Sequence, residues 1–116
     1  MDIYDWNTVP SERLSALITR KAIHRANMTL ACIELERSAV VAVHSHAHEQ
    51  ISMVQKGALK FVVDGQERVV RAGEMLALPS NVPHGVVETL EDSVVVDVFS
   101  PVREDWMKGD DAYLRR

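Results

Sequence analysis

Three glycines, Gly57, Gly65 and Gly73, stand eight residues apart, and the runs between them are short and rich in Val, Leu and Phe. Such spacing leaves no room for helices of ordinary length. Asp64-Gly65 sits between Phe61-Val62-Val63 and Arg68-Val69-Val70. That pair favours a two-residue hairpin, because both positions tolerate a positive φ. From Asn27 onward, short runs of Val, Ile, Leu and Met recur between turn signals. Evenly spaced strands of this kind predict an all-β antiparallel sandwich or barrel. The 116 residues suffice for a single domain. The pattern divides it into an N-terminal arm or strand (1–26), a barrel (27–103) and a C-terminal tail (104–116). The first segment reads two ways. Ser11-Glu12-Arg13-Leu14 could cap a short helix, while Leu14, Ala16 and Ile18 alternate as in a strand. The last segment is either a short helix or a loose tail.

Composition narrows the function classes. The net charge is −4 and the basic residues are scattered, so no cationic stripe argues for nucleic acid. No apolar run approaches the roughly 20 residues of a membrane helix. The start of the chain, with Asp2, Asp5 and Trp6, lacks the basic and apolar regions of a signal peptide. Cys32 is the one cysteine, which fits a reducing cytoplasm.

The histidines carry the chemistry. His44, His46 and His48 alternate with Ser45 and Ala47. Residues two apart in a strand project to the same face, so His44 and His46 are expected to point together. His84 follows the stiff turn Pro79-Ser80-Asn81-Val82-Pro83, which would deliver a third imidazole from a neighbouring strand. An isolated His-x-His pair would more simply be surface polar residues. Here the preceding Val40, Val41 and Val43 are apolar and a third histidine is available, so one metal ion is expected. His48 shares the strand parity of the other two, but the strand ends near Ala47, which would turn it outward.

A second constellation lies near the C-terminus. In Val94-Val95-Val96-Asp97-Val98-Phe99, alternation places Val95, Asp97 and Phe99 on one face. An aspartate in so apolar a strand is costly unless it is paired or working. Arg103, just past Pro101, could fold back toward it. Glu49 and Glu74 read as solvated charges, Cys32 as a small core residue, and His24 as structural or at a subunit contact. Trp106 and Met107 could close the barrel mouth.

His44-Ser45-His46-Ala47-His48-Glu49-Gln50, followed by Gly57, resembles the first motif of the cupin family, and Gly73, Pro79, Asn81 and His84 resemble the second. The likeness spans residues 30–99. It implies a single-domain jelly-roll barrel, the double-stranded β-helix, holding one divalent transition metal ion (Zn, Ni, Fe or Mn) on His44, His46, Gln50 and His84. Asp97, Phe99 and Arg103, within Asp-Val-Phe-Ser-Pro-Val-Arg-Glu-Asp, are similar to the end of the KdgF-type cupins. That family converts 4,5-unsaturated monouronates from pectin or alginate to linear keto form. The resemblance implies that Asp97, Phe99 and Arg103 form its active-site trio. It also implies a homodimer, with Tyr4 and Trp6 of the arm packing across the interface.

The chain departs from the family pattern at several points. Ser38 stands at a usual turn glycine, Ala47 at a frequent proline, Asn81 at the second-motif glycine and Glu88 at a common asparagine. Gln50 replaces the typical Glu. With three neutral imidazoles, it leaves the full charge of the ion to act on an anionic or hydroxyl ligand. The same ligand set permits another metal-dependent cupin enzyme, an oxygenase or sugar isomerase. A cupin that binds a small molecule without turnover is a third reading.

Overall fold

The computed structural model describes residues 1–115. Short apolar runs become strands β1 (Glu12–Ser15), β2 (Ile18–His24), β3 (Thr29–Leu35), β4 (Val41–His44) and β5 (Glu49–Lys56). They continue as β6 (Ala58–Val63), β7 (Gln66–Arg71), β8 (Met75–Leu78), β9 (His84–Thr89) and β10 (Ser93–Ser100). A short helix α1 (Glu104–Met107) and a 3₁₀ turn (Ala112–Leu114) follow. One antiparallel sheet has the order β1-β2-β3-β10-β5-β8 and the other β4-β9-β6-β7. The all-β expectation holds.

The hairpin forms where its turn residues demand it. Asp64 and Gly65 take φ of 48° and 79°, and β6 pairs with β7 from Val63↔Gln66 to Ala58↔Arg71. Positive φ at both central positions matches the right-handed twist of the flanking strands. Gly57, at φ +86°, also answers to space: a Cβ there would press into Ser93 Oγ and lie 2.6 Å from the Asp92 carbonyl.

Alternation prevails over the capping pattern in residues 12–24. Strand β2 pairs with β3 from Ile18↔Leu35 to His24↔Thr29, and Leu14 and Ile18 enter the core. A waiting sheet edge supplies every backbone partner, whereas so short a helix is marginal alone. Inward-facing Ala31, Ile33 and Leu35 of β3 meet Leu59 and Phe61 of β6 and Val86 of β9 in a single apolar cluster between the sheets. Cys32, by contrast, is half-buried on the outward parity of β3.

The C-terminal segment is docked. Trp106 and Leu114 are buried in the core cluster, while Met107 is exposed. Arg20 of β2, 1% exposed, makes an ion pair of 2.8 Å with the fully buried Asp111. The Arg20 guanidinium also lies 4.2 Å from the centre of the Trp106 ring. No helix among the described residues is long and apolar enough to cross a membrane.

Candidate functional site

The site lies between the two sheets and draws on both. Strand β4 ends at His44, whose cross-strand partner on β9 is His84. The close approach of these strands depends on Gly85, because a Cβ there would lie 2.6 Å from the Val41 carbonyl oxygen. His46 lies beyond the end of β4, in the connection to β5. The expected shared strand face therefore does not account for its position. The chain leaves one sheet after His44 to enter the other at Glu49, and the bend swings His46 back. Ligand atoms of His44, His46 and His84 nevertheless lie within 4.8 Å of one another.

Backbone carbonyls fix all three rings. His44 Nδ1 donates to the Ala42 oxygen (2.7 Å), His46 Nδ1 to that of His48 (3.0 Å) and His84 Nδ1 to that of Val82 (2.9 Å). A carbonyl oxygen only accepts, so each Nδ1 carries the proton and each Nε2 keeps its lone pair. Burial pulls the imidazole pKa values down, to about 4 for His44 and His46 and in the same direction for His84. The rings are neutral near pH 7, as metal ligation requires.

Gln50 is oriented by a relay that starts at Asp97. On β5 and β10, Asp97 faces Ser52 and Phe99 faces Gln50. Ser52 Oγ donates to Asp97 Oδ1 (2.6 Å), and Gln50 Nε2 donates to Ser52 Oγ (3.0 Å). The amide oxygen of Gln50 is thereby aimed at His46 Nε2, 3.1 Å away. Both of those atoms are acceptors, a repulsive pairing that a nearby cation relieves. His84 Nε2 is buried without a hydrogen-bond partner. Three neutral nitrogens and an amide oxygen suit a first-row divalent metal, and these unmet lone pairs fit one. His48 faces elsewhere: its Nε2 bonds the Val102 carbonyl at 3.2 Å.

Asp97 is buried, and desolvation raises its pKa to about 6 against the opposing hydrogen bonds of Ser52 and Gln50. Arg103 lines the same cavity but makes no ion pair with Asp97 among the described residues. Its Nε and Nη2 grip Asp105 in a two-pronged pair of 2.9 and 2.6 Å, and Nη2 also donates to Tyr113 Oη at 2.7 Å. Its backbone N–H donates to Thr29 Oγ1, which in turn contacts His24 Nδ1. His24 is thus a structural support for Arg103. The guanidinium carbon lies 4.7 Å from the centre of the Phe99 ring, and Phe99 meets His46 edge-on.

Sequence reading missed three contributors. Ser52 announced itself only as a hydroxyl at an inward strand position two residues after Gln50. Asp105 and Tyr113 carried no local signal, because their roles arise from how the C-terminal segment folds back.

Residues 32–99 match the family model of the cupin domain. The chain is 34% identical over 100 residues to the pectin degradation protein KdgF of Dickeya dadantii, covering 84% of this chain and 91% of that one. The structure of KdgF from a Halomonas species superposes with a TM-score of 0.85 at 30% identity, over 91% of this chain and 98% of that one. An RmlC-like cupin from Shewanella frigidimarina gives 0.85 at 28% identity, over 91% and 96%. With its two sheets and its histidine cluster at the β4–β9 pair, the chain belongs to the cupin family and is of the KdgF type.

Proposed function

We propose that this protein is a metal-dependent isomerase that converts 4,5-unsaturated monouronates, released from pectin or alginate, to their linear keto form. The observation that carries this reading is the juxtaposition of three carbonyl-fixed imidazoles and the Gln50 amide with a buried Asp97 whose pKa is raised to about 6. His44, His46, His84 and Gln50 would hold the ion, which supplies Lewis-acid polarisation of substrate oxygens when bound.

The other residues divide the organic chemistry. Asp97 takes the proton of the hemiacetal hydroxyl, since a group titrating near neutrality both accepts and returns protons. The bond from that carbon to the ring oxygen then breaks, its electron pair goes to the oxygen, and the aldehyde forms. The resulting enolate takes a proton on carbon from Asp97 and becomes the ketone. Arg103 provides positive charge for the substrate carboxylate. Because Asp105 already fills its two-pronged edge, contact with that carboxylate falls to the remaining Nη1. Phe99 forms an apolar wall beside the ring.

This reading includes a cytoplasmic homodimer. Unpaired Cys32 agrees with a reducing compartment. The outer face of the larger sheet leaves Ile51 and Met75 exposed, which suits burial against a second copy. The arm lies on its own sheet, with Lys21 Nζ donating to the Trp6 carbonyl and Arg25 paired to Asp2.

The reading is tested with 4,5-unsaturated galacturonate, using NMR to identify the product formed by metal-loaded and metal-stripped protein. Faster appearance of the linear keto acid with the loaded protein is expected. A product distribution and rate equal to the spontaneous reaction would overturn it. Oxygen consumption dependent on ferrous iron would favour an oxygenase instead.

A further inference from the structure

The C-terminal segment brings one more polar group to the cavity. Tyr113 lines it together with His44, His84 and Asp97. Its ring stacks on that of His44, with centroids 3.9 Å apart and planes at 23°. Its hydroxyl accepts from Arg103 Nη2 at 2.7 Å and from Trp106 Nε1 at 3.1 Å. Arginine and indole nitrogens only donate here, so both lone pairs of the phenol oxygen are in use. What remains is its proton, for which the described residues provide no acceptor.

The same segment also walls part of the cavity. The cavity measures about 60 Å³, room for a few water molecules but far below the roughly 300 Å³ at which ligand pockets begin. Trp106, Tyr113 and Leu114 contribute to its wall. The segment is held down by the ion pairs of Asp111 with Arg20 at 2.8 Å and with Arg115 at 2.8 Å. A monouronate needs more room than this cavity gives, and the C-terminal segment forms part of the wall around that room.

We propose that residues 104–115 form a strap over the site and that Tyr113, carried on it, donates its hydroxyl hydrogen bond to the substrate's ring oxygen as ring opening begins. The proposal rests on the uronate reading above. Ring opening places negative charge on the ring oxygen as the carbon–oxygen bond breaks. A donor already held by two partners stabilises that charge without reorganising. The proton stays on Tyr113, Asp97 holds the one taken from the hemiacetal hydroxyl, and the atoms balance. Arg103 and Trp106 are positioning residues for the phenol.

Tyr113→Phe keeps the ring on His44 and removes only the hydroxyl, while Leu114→Ala loosens the strap and keeps it. We expect Tyr113→Phe to lower kcat about 100-fold, the scale of one lost oxyanion donor, with KM within about threefold and metal content unchanged. Leu114→Ala should instead lower thermal stability and change KM more than kcat. A kcat for Tyr113→Phe within twofold of an active wild type would overturn the proposal and leave the uronate reading standing. A wild type no faster than the spontaneous reaction would overturn both. Should Tyr113→Phe fail to fold, 3-fluorotyrosine serves, because the only other tyrosine is Tyr4 in the arm. In a Tyr4→Phe background the fluorine resonance of residue 113 should shift as galacturonate saturates the site. A resonance unmoved while calorimetry records binding would overturn the proposal.

Discussion

Neutral imidazoles, an aimed amide and a buried carboxyl are each arranged here by a specific hydrogen bond, so single substitutions separate their roles. His84→Ala removes the deepest imidazole. Losing even a supporting partner of a ligand costs 10–100-fold in metal affinity, so losing this side chain should cost at least about 100-fold. Elemental analysis after dialysis and calorimetric titration would measure it. Asp97→Asn retains an acceptor for Ser52 and therefore the orientation of Gln50. It should keep the metal while kcat falls by roughly 10²–10⁴, the range of general acid–base catalysis. Turnover at the wild-type rate in Asp97→Asn would remove Asp97 from the mechanism. Much of this was legible in the residues themselves: the alternation of Val95, Asp97 and Phe99 holds, all three being buried. The Ser52 link was not, because a lone serine in a strand gives no hint of which cross-strand neighbour it will meet.

Among the elements, the hairpin at Asp64-Gly65 could be read directly, since positive φ at two successive positions restricts both residue types and register. Residues 12–24 could not, because a capping pattern and strand alternation coexist there and only the edge of β3 decides between them. His46 was expected on β4 and lies in the bend after it, since the length of β4 is set by its pairing with β9. That pairing gives a test away from the ligands. Gly85→Ala places a methyl against the Val41 carbonyl and must push β4 and β9 apart next to the His44–His84 pair. Metal affinity should fall by about tenfold or more, with a loss of roughly 1–3 kcal/mol in stability as expected for overpacking. Chemical denaturation and metal titration of the same preparation would report both.

At the scale of the whole molecule, the strap joins the C-terminus to β2 through Arg20 and Asp111. Burial pushes the Asp111 carboxyl up, but Arg115 and Arg20 outweigh it and hold the group below the ordinary carboxylate range. A lowered folded pKa contributes stability above the unfolded value of about 3.9, and that stability is lost as pH falls through the folded value. Asp111→Asn should therefore cost about 3 kcal/mol near neutrality, as breaking a buried pair does. Its Tm deficit should stay constant from about pH 5 to 8 and shrink below about pH 4. A deficit independent of pH through that acid range would contradict the assignment. The tail's docking was only partly legible in the sequence, where Trp106 suggested a cover for the barrel mouth but Asp111 and Tyr113 gave no sign of their partners; docking, rather than propensity, orders residues 104–115.

Under the proposed function, turnover of the unsaturated uronate should follow occupancy of the site formed by His44, His46, Gln50 and His84. Metal-stripped protein would be titrated with a divalent transition metal while ultraviolet absorbance follows loss of the substrate's conjugated double bond. The account predicts a rate that rises in proportion to added metal and levels off at about one ion per chain, the capacity of one four-ligand site. A rate indifferent to metal, in protein shown by calorimetry to bind it, would contradict the account.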